Sequence, residues 1–282
     1  MLFRSADGQI LVTDGAGNLQ WVDNLPSTST FTANSISLTN GVYVSGDVTS
    51  IQTFGDYATG NVYTTGYFQG TVDFDPGSGV TNLTTAGGND IFITKFNTNG
   101  NLIWAKSIGG TSSDISYSIG VDATGNVYTT GYFGGTADFD PSGATANLTT
   151  NGSFDFFISK LDSNGNFVWA KNIGSTSNDA AFGLKLDASG NIYLTGYFGG
   201  TVDFDPNEGV ANLTHNGGGD TFVCKLDTNG NYVWAKSMGG TSPDQGNAIC
   251  IDSSGNVYFI GTFTGTVDFD LSANTANMIS GV

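Results

Sequence analysis

The octapeptide NVYTTGYF begins at Asn61 and returns at Asn126, a step of 65 in the numbering, then as NIYLTGYF at Asn191 and NVYFIGTF at Asn256. The same step links Trp104, Trp169 and Trp234, and the DFD triplets that start at Asp73, Asp138, Asp203 and Asp268. A period kept over four copies without insertion or deletion requires one structural module that makes equivalent contacts with its neighbours, either stacked or set around an axis.

Within a repeat the strands are bounded by readable turns. Asp162-Ser-Asn-Gly165-Asn and Asp227-Thr-Asn-Gly230-Asn place an aspartate at the start of a type I turn and a glycine where a left-handed residue closes it. Asp122-Ala-Thr-Gly125, Asp187-Ala-Ser-Gly190 and Asp252-Ser-Ser-Gly255 repeat the recipe, so each repeat holds two hairpins and four main strands. In the middle repeat these strands are expected near 155–161, 166–173, 181–187 and 191–198, with the DFDP and NLTT segments as an excursion on the rim. The strands carry apolar and aromatic residues without clean alternation, as in FDFFISKL and NFVWAKNI, which predicts sheets covered on both faces. Composition agrees. Gly numbers 42, all but one of the 25 acidic residues are Asp, with Glu208 the exception, and good helix formers are scarce. The expected fold is all-β, a β-propeller-type array of four-stranded antiparallel units that recur with the Asn61-to-Asn126 period. A β-solenoid is the alternative, although its turns are usually much shorter than this period.

The spacing of Asp155, Phe157, Lys160, Asp162, Gly165, Asn166, Trp169, Asp179, Asp187, Gly190, Asn191, Tyr193 and Gly196 resembles the bacterial β-propeller repeat family called SBBP, and the likeness covers about residues 58–282. The resemblance implies a scaffold without common catalytic residues, often part of a larger extracellular chain. Residues 1–57 do not keep the period. Asp14-Gly-Ala-Gly17-Asn-Leu-Gln-Trp21 and the 35–48 segment SISLTNGVYVSGDV echo the repeat, which makes 1–57 a degenerate repeat. Alternatively they form a separate module, because GQILVTDGAGNLQWV also resembles segments of phage tail-fibre and trimeric surface-fibre proteins. With this period, 282 residues hold between four and five repeats, fewer than the six to eight blades that the family resemblance leads us to expect. Three arrangements answer this: an incomplete array from a longer chain, a homo-oligomer in which two chains complete one ring, or a four-bladed ring closed by the hairpin at 9–22.

Charge excludes some partners. A net charge of −17 with only eight Lys and Arg leaves no basic surface for nucleic acid or anionic membranes. No apolar stretch is long enough to span a bilayer and the start MLFRSADGQILVTDG lacks the apolar region of a secretory signal, so neither membrane insertion nor a signal peptide is expected in the chain. Cys224 and Cys250 support no disulfide framework and read as two buried free thiols. The sole histidine, His215, stands where the preceding repeat has Thr150 and reads as a surface loop residue.

The most suggestive chemistry lies in the paired aspartates of the DFD segments: Asp73 and Asp75, Asp138 and Asp140, Asp203 and Asp205, Asp268 and Asp270. In extended backbone, residues i and i+2 share a face, so each pair could meet a hard cation such as Ca²⁺; a hydrated acidic rim explains them equally. No cofactor is otherwise required. Lys95, Lys160 and Lys225, and Lys106, Lys171 and Lys236, repeat with the period and are expected opposite Asp90, Asp155 and Asp220 or across the Trp faces. The tryptophans are expected to pack between modules rather than to form a sugar platform. Catalysis needs an asymmetric constellation, and the residues that break the repeat, His215, Cys224, Cys250, Lys185, Glu208 and Met238, supply no nucleophile with its base. The expected function is that of a non-enzymatic scaffold for recognition or adhesion, extracellular or at the cell surface, with a protein or carbohydrate partner. A virion tail-fibre component is the alternative, and a polysaccharide-active enzyme a remoter one.

Overall fold

The computed structural model describes residues 10–13, 19–22, 48–55, 60–270 and 275–281, and the chain divides into two compact units, Met1–Gly41 and Val42–Val282. In the first unit β1 (Ile10–Thr13) pairs antiparallel with β2 (Leu19–Val22), with Ile10 opposite Val22 and Thr13 opposite Leu19. The 35–47 part of the expected repeat echo lies outside the described residues.

The second unit is a row of antiparallel blades. The first runs β3 (Val48–Gly55), β4 (Val62–Phe68), a rim hairpin of β5 (Thr71–Asp73) and β6 (Asn82–Thr84), then β7 (Asp90–Phe96) and β8 (Leu102–Gly110). The second is β9 (Ile115–Val121), β10 (Val127–Asp138), β11 (Asn147–Leu161) and β12 (Phe167–Ile173), in which β10 and β11 are long enough to include the rim hairpin. The third is β13 (Ala180–Leu186), β14 (Ile192–Phe198), the rim pair β15 (Thr201–Asp203) and β16 (Asn212–Thr214), then β17 (Asp220–Leu226) and β18 (Tyr232–Met238). A fourth set comprises β19 (Gln245–Ile251), β20 (Val257–Thr262) and the rim pair β21 (Thr266–Asp268) and β22 (Asn277–Ile279). The first strands β3, β9, β13 and β19 lie against one another in succession, the arrangement of propeller inner strands. The fold is thus all-β and β-propeller-type, and no helix occurs among the described residues.

The four expected strands of the middle repeat are found to within a residue or two, except that β11 extends back into the rim. The grouping differs from the expected one. Each sheet joins a D-x-x-G-N-x-Y hairpin to the tryptophan hairpin that follows it, so a blade runs from Ile115 to Ile173 rather than from 155 to 198. The period also reaches back further than its side chains disclose, because β3 occupies the inner-strand place through backbone pairing with β4. The boundary expected at 57/58 therefore falls between the first two strands of a blade.

Burial explains the lack of alternation. The middle strands β14 and β17 are buried along almost their whole length, since neighbouring blades cover both faces. Phe133, Phe139 and Phe157 pack together in the second blade, and Phe198, Phe204 and Phe222 in the third, with adjacent rings 5.1 to 5.5 Å apart. Phe139 and Phe204 are the central residues of the DFD triplets, so that triplet anchors the rim hairpin to the blade by its aromatic residue.

An inner-strand bulge sets the aim of the residue it carries. In the second blade Ser116 faces Gly131 while Ser118 faces Thr130, leaving Tyr117 as the extra residue; Phe182 and Asn247 take the same place in β13 and β19. The opposing residue must be glycine. A β-carbon on Gly131 or Gly196 would stand 1.9 Å from the carbonyl oxygen of Ile115 or Ala180, so the repeated glycines admit a close backbone approach and bear no relation to a phosphate cradle. Replacing Gly196 by Ala is expected to lower stability by about 1–3 kcal/mol. Gly143→Ala, where nothing lies within 4 Å of the added carbon, should leave the urea unfolding midpoint essentially unchanged.

Candidate functional site

The rim aspartates serve as loop caps. Asp73, Asp138, Asp203 and Asp268 each accept the backbone N–H two residues on and a second N–H eight residues on, at 2.7 to 3.0 Å. Bonds from Thr81 and Asp75 pull the pKa of Asp73 below its ordinary value. Asp75, Asp140 and Asp205 accept the N–H of Gly77, Ser142 and Asn207. Val72 and Phe74 are buried on either side of Asp73, and the second aspartate of each pair lies just past the end of its strand. A cation at a pair would thus meet carboxylates already engaged by their own loop. Among the described residues no three metal-ligating side chains gather.

The hairpin turns fold as expected. Asp162 accepts the N–H groups of Asn164 and Asn166 and the Asn166 amide, while Gly165 adopts a φ of 79°. Burial tends to raise the pKa of Asp187, but bonds from Asn191 and Ser189 outweigh it and the net shift is downward.

Of the two places expected for the first lysine set, the one across from tryptophan holds in register, since Lys95, Lys160 and Lys225 pair across strands with Trp104, Trp169 and Trp234, and the one opposite aspartate does not. Lys95, Lys160 and Lys225 stand over the rings of Tyr63, Tyr128 and Tyr193 at 5.3, 4.8 and 4.8 Å, away from Asp90, Asp155 and Asp220. Burial of those aspartates, where a strongly hydrated ammonium cannot follow, explains the change of partner. Lys225 also approaches Asp187 at 3.8 Å. The tryptophans pack between modules: Trp104 meets Tyr63 edge-on, and its ring N–H bonds the Ser163 carbonyl of the next blade at 3.3 Å. Cys224 is buried and its thiol pKa is pushed up by burial, but Cys250 is exposed, so the expectation of two buried thiols holds for one. Lys185 and Glu208 are exposed and Met238 is buried. His215 is only partly exposed, and its Nδ1 is buried and unpartnered.

Two constellations were not foreseen. The first is a carboxylate clamp at each blade junction. Asp114, Asp179 and Asp244, all buried, donate their backbone N–H to the carbonyls of Asn89, Phe154 and Gly219 in the preceding blade at 2.8 to 3.0 Å. Their Oδ2 atoms accept the N–H of Gly110, Ser175 and Gly240, at or just past the end of that blade's outer strand, at 2.7 to 2.8 Å. Their Oδ1 atoms accept the N–H of Gly134, Gly199 and Thr264, before the blade's own rim hairpin, at 2.9 to 3.1 Å. One side chain thus joins two blades and a rim. The signal was an aspartate recurring with the period of the repeat, its partners four residues before and twenty after.

The second is an aromatic patch. Bulge residue Tyr117 packs on bulge residue Phe182 of the next blade at 4.9 Å and on Tyr132 at 5.8 Å; Tyr132 meets Phe154 at 4.9 Å and Phe182 meets Tyr197 at 5.9 Å. All five rings are half-buried, unlike the fully buried phenylalanines inside the blades. Burial, then the neighbouring hydroxyls of Tyr132, Tyr67 and Tyr197, raise the pKa of Tyr117. Tyr117, Phe182 and Asn247 differ at one place in the period, which was the available sign that this position is not set by the fold alone.

Asp179→Ala strands two backbone donors in a buried junction and is expected to cost about 2–4 kcal/mol in urea unfolding, with Asp140→Ala in an exposed loop closer to wild type.

No protein-family model matches the chain. It is 29% identical over 199 residues to an uncharacterized WD repeat-containing protein of Acanthamoeba polyphaga mimivirus, which covers 62% of this chain and 14% of that protein. It is 23% identical over 176 residues to the regulatory protein FlaEY of Caulobacter vibrioides, covering 60% of this chain and 18% of that protein. The chain therefore spans less than a fifth of the length of either relative, and the likeness supports a repeat scaffold of the propeller type.

Proposed function

We propose that this chain is a non-enzymatic recognition scaffold of the SBBP kind, working outside the cell or at its surface, and that the inner-strand aromatic patch is its ligand-binding surface. The observation that carries the reading is the pair of bulges that aim Tyr117 and Phe182 at each other across a blade junction. Elsewhere the repeated polar groups are engaged in holding blades and loops, whereas this place varies between repeats and leaves rings half-exposed. The ligand class that fits is a neutral carbohydrate. Ring faces stack on the C–H faces of a sugar and the converging tyrosine hydroxyls bond its hydroxyl groups. The nearby acids Asp114 and Asp179 are enclosed and capped by backbone N–H groups, and a net charge of −17 opposes acidic glycans.

The test is retention of the purified chain on immobilised neutral and acidic polysaccharides, with Tyr117→Ala and Tyr197→Ala variants checked for an unchanged unfolding midpoint. Neutral polysaccharide should retain the wild type, and either variant should weaken binding about tenfold or more. Retention only by a protein partner, or sugar binding indifferent to both substitutions, contradicts the reading.

A further inference from the structure

Each clamp has a companion. Asp90 and Asp220 open the third strand of their blades and Asp155 stands at the matching place within β11; all three are buried and use Oδ2 to accept the N–H of Ala86, Asn151 and Asn216 at 2.9 to 3.1 Å. Their Oδ1 atoms are buried with no hydrogen-bond partner, identically in all three blades. An ionised carboxylate oxygen enclosed without a donor is costly, and the structure repeats that cost three times. The companion and the clamp converge on one glycine: Oδ1 of Asp90 and Oδ2 of Asp114 both lie within 3.0 Å of where a β-carbon on Gly109 would stand, and Asp155 and Asp220 occupy the same space at Gly174 and Gly239.

We propose that the three blade junctions are proton-operated clasps, each holding one proton on the orphan Oδ1 of Asp90, Asp155 or Asp220 beside the clamp aspartate, and that loss of this proton as the medium passes from acid to neutral leaves two like charges and slackens the junction. Oδ1 is the oxygen that takes the proton because every other oxygen of the pair already accepts an N–H, and a protonated oxygen is a poor acceptor for such a donor. The proton comes from solvent and returns to it.

The groups that face these pairs are few. Asp90 and Asp114 face each other; Asp155 and Asp179 have Tyr197 nearby and the Asn172 amide on Asp155; Asp220 and Asp244 have His215. Among the described residues the only ion pair within 4 Å, Lys225 with Asp187, lies elsewhere. Burial raises Asp90 to about 6, and burial together with the Asp90 charge raises Asp114 to about 7; burial and the Asp155 charge likewise raise Asp179 to about 6. These values belong to coupled pairs. Because the folded pKa lies above the ordinary 3.8, the folded state holds the extra protons. Their stabilisation is complete near pH 4 and fades as pH rises to about 7.

The experiment is urea unfolding at pH 5, 6.5 and 8 at fixed ionic strength, for wild type, Asp155→Asn, the triple variant Asp90→Asn, Asp155→Asn, Asp220→Asn, and His215→Gln. Each clasp that loses a proton should raise the unfolding constant by up to about tenfold per pH unit, so the wild type should weaken from pH 5 to 8. An asparagine amide replaces the proton with a permanent N–H and keeps an acceptor for the loop, so Asp155→Asn should reduce this slope and the triple variant reduce it most, while His215→Gln should retain it. Carboxyl ¹³C titration of aspartate-labelled wild type gives a reading that does not depend on any variant folding, and should show carboxyls titrating above pH 5. A flat wild-type profile, a slope as steep in the triple variant as in the wild type, a slope lost in His215→Gln, or all carboxyls titrating below pH 5 would each overturn the proposal.

Discussion

A carboxylate that accepts two backbone N–H groups from different blades is the interaction on which the rest of this structure depends. Sheet pairing satisfies the backbone within a blade, but the outer strand of one blade must end and the inner strand of the next begin inside the packed junction. Asp114, Asp179 and Asp244 receive the donors left there, and their own N–H groups go to carbonyls in or just before the preceding blade's third strand. The rim hairpin is placed by the same residue. In the first junction the clamp is reinforced by backbone pairing of Ala137 and Asp138 with Gly110 and Gly109.

Given that frame, the period separates what the fold demands from what it permits. Gly131 and Gly196 are demanded, because the bulge brings a carbonyl where a β-carbon would be; Phe139 and Phe204 are demanded to seat the rim. The bulged residue opposite the glycine is held in place but not specified, and there the repeats carry Tyr117, Phe182 and Asn247 in turn. A site that can vary while its supporting backbone cannot is the usual way for a repeat scaffold to acquire specificity.

The period, the turns and the four strands of the repeat were legible because each rests on local chemistry: Asp and Gly at fixed turn positions and apolar runs between them. What was not legible depends on partners distant in sequence. A turn-rich sequence does not say whether the hairpin at Asp187 joins the strand before or after it in a sheet, so the blade was framed half a repeat out. Lys95 and Trp104 do pair across strands, but the ammonium lies over Tyr63, reached through the neighbouring strand. The sequence offers Asp90, Asp155 and Asp220 as partners for lysine, because their burial follows from blade contacts that it does not display. Asp179 was visible as a recurring residue, yet its bonds go to backbone groups, which carry no sequence signature.

Hydrogen exchange at the amides of Gly110 and Gly134 tests the clamp most directly, since the first donates to the Asp114 carboxylate across a junction and the second from the blade's own rim side. The account predicts slow exchange at both amides in the wild type, comparable with mid-strand amides of β10. In Asp114→Ala both should become fast, while the Asn166 amide, bonded within its own turn to Asp162, keeps its wild-type rate. Rapid exchange at Gly110 and Gly134 in the wild type, or protection undiminished in the variant, would contradict it.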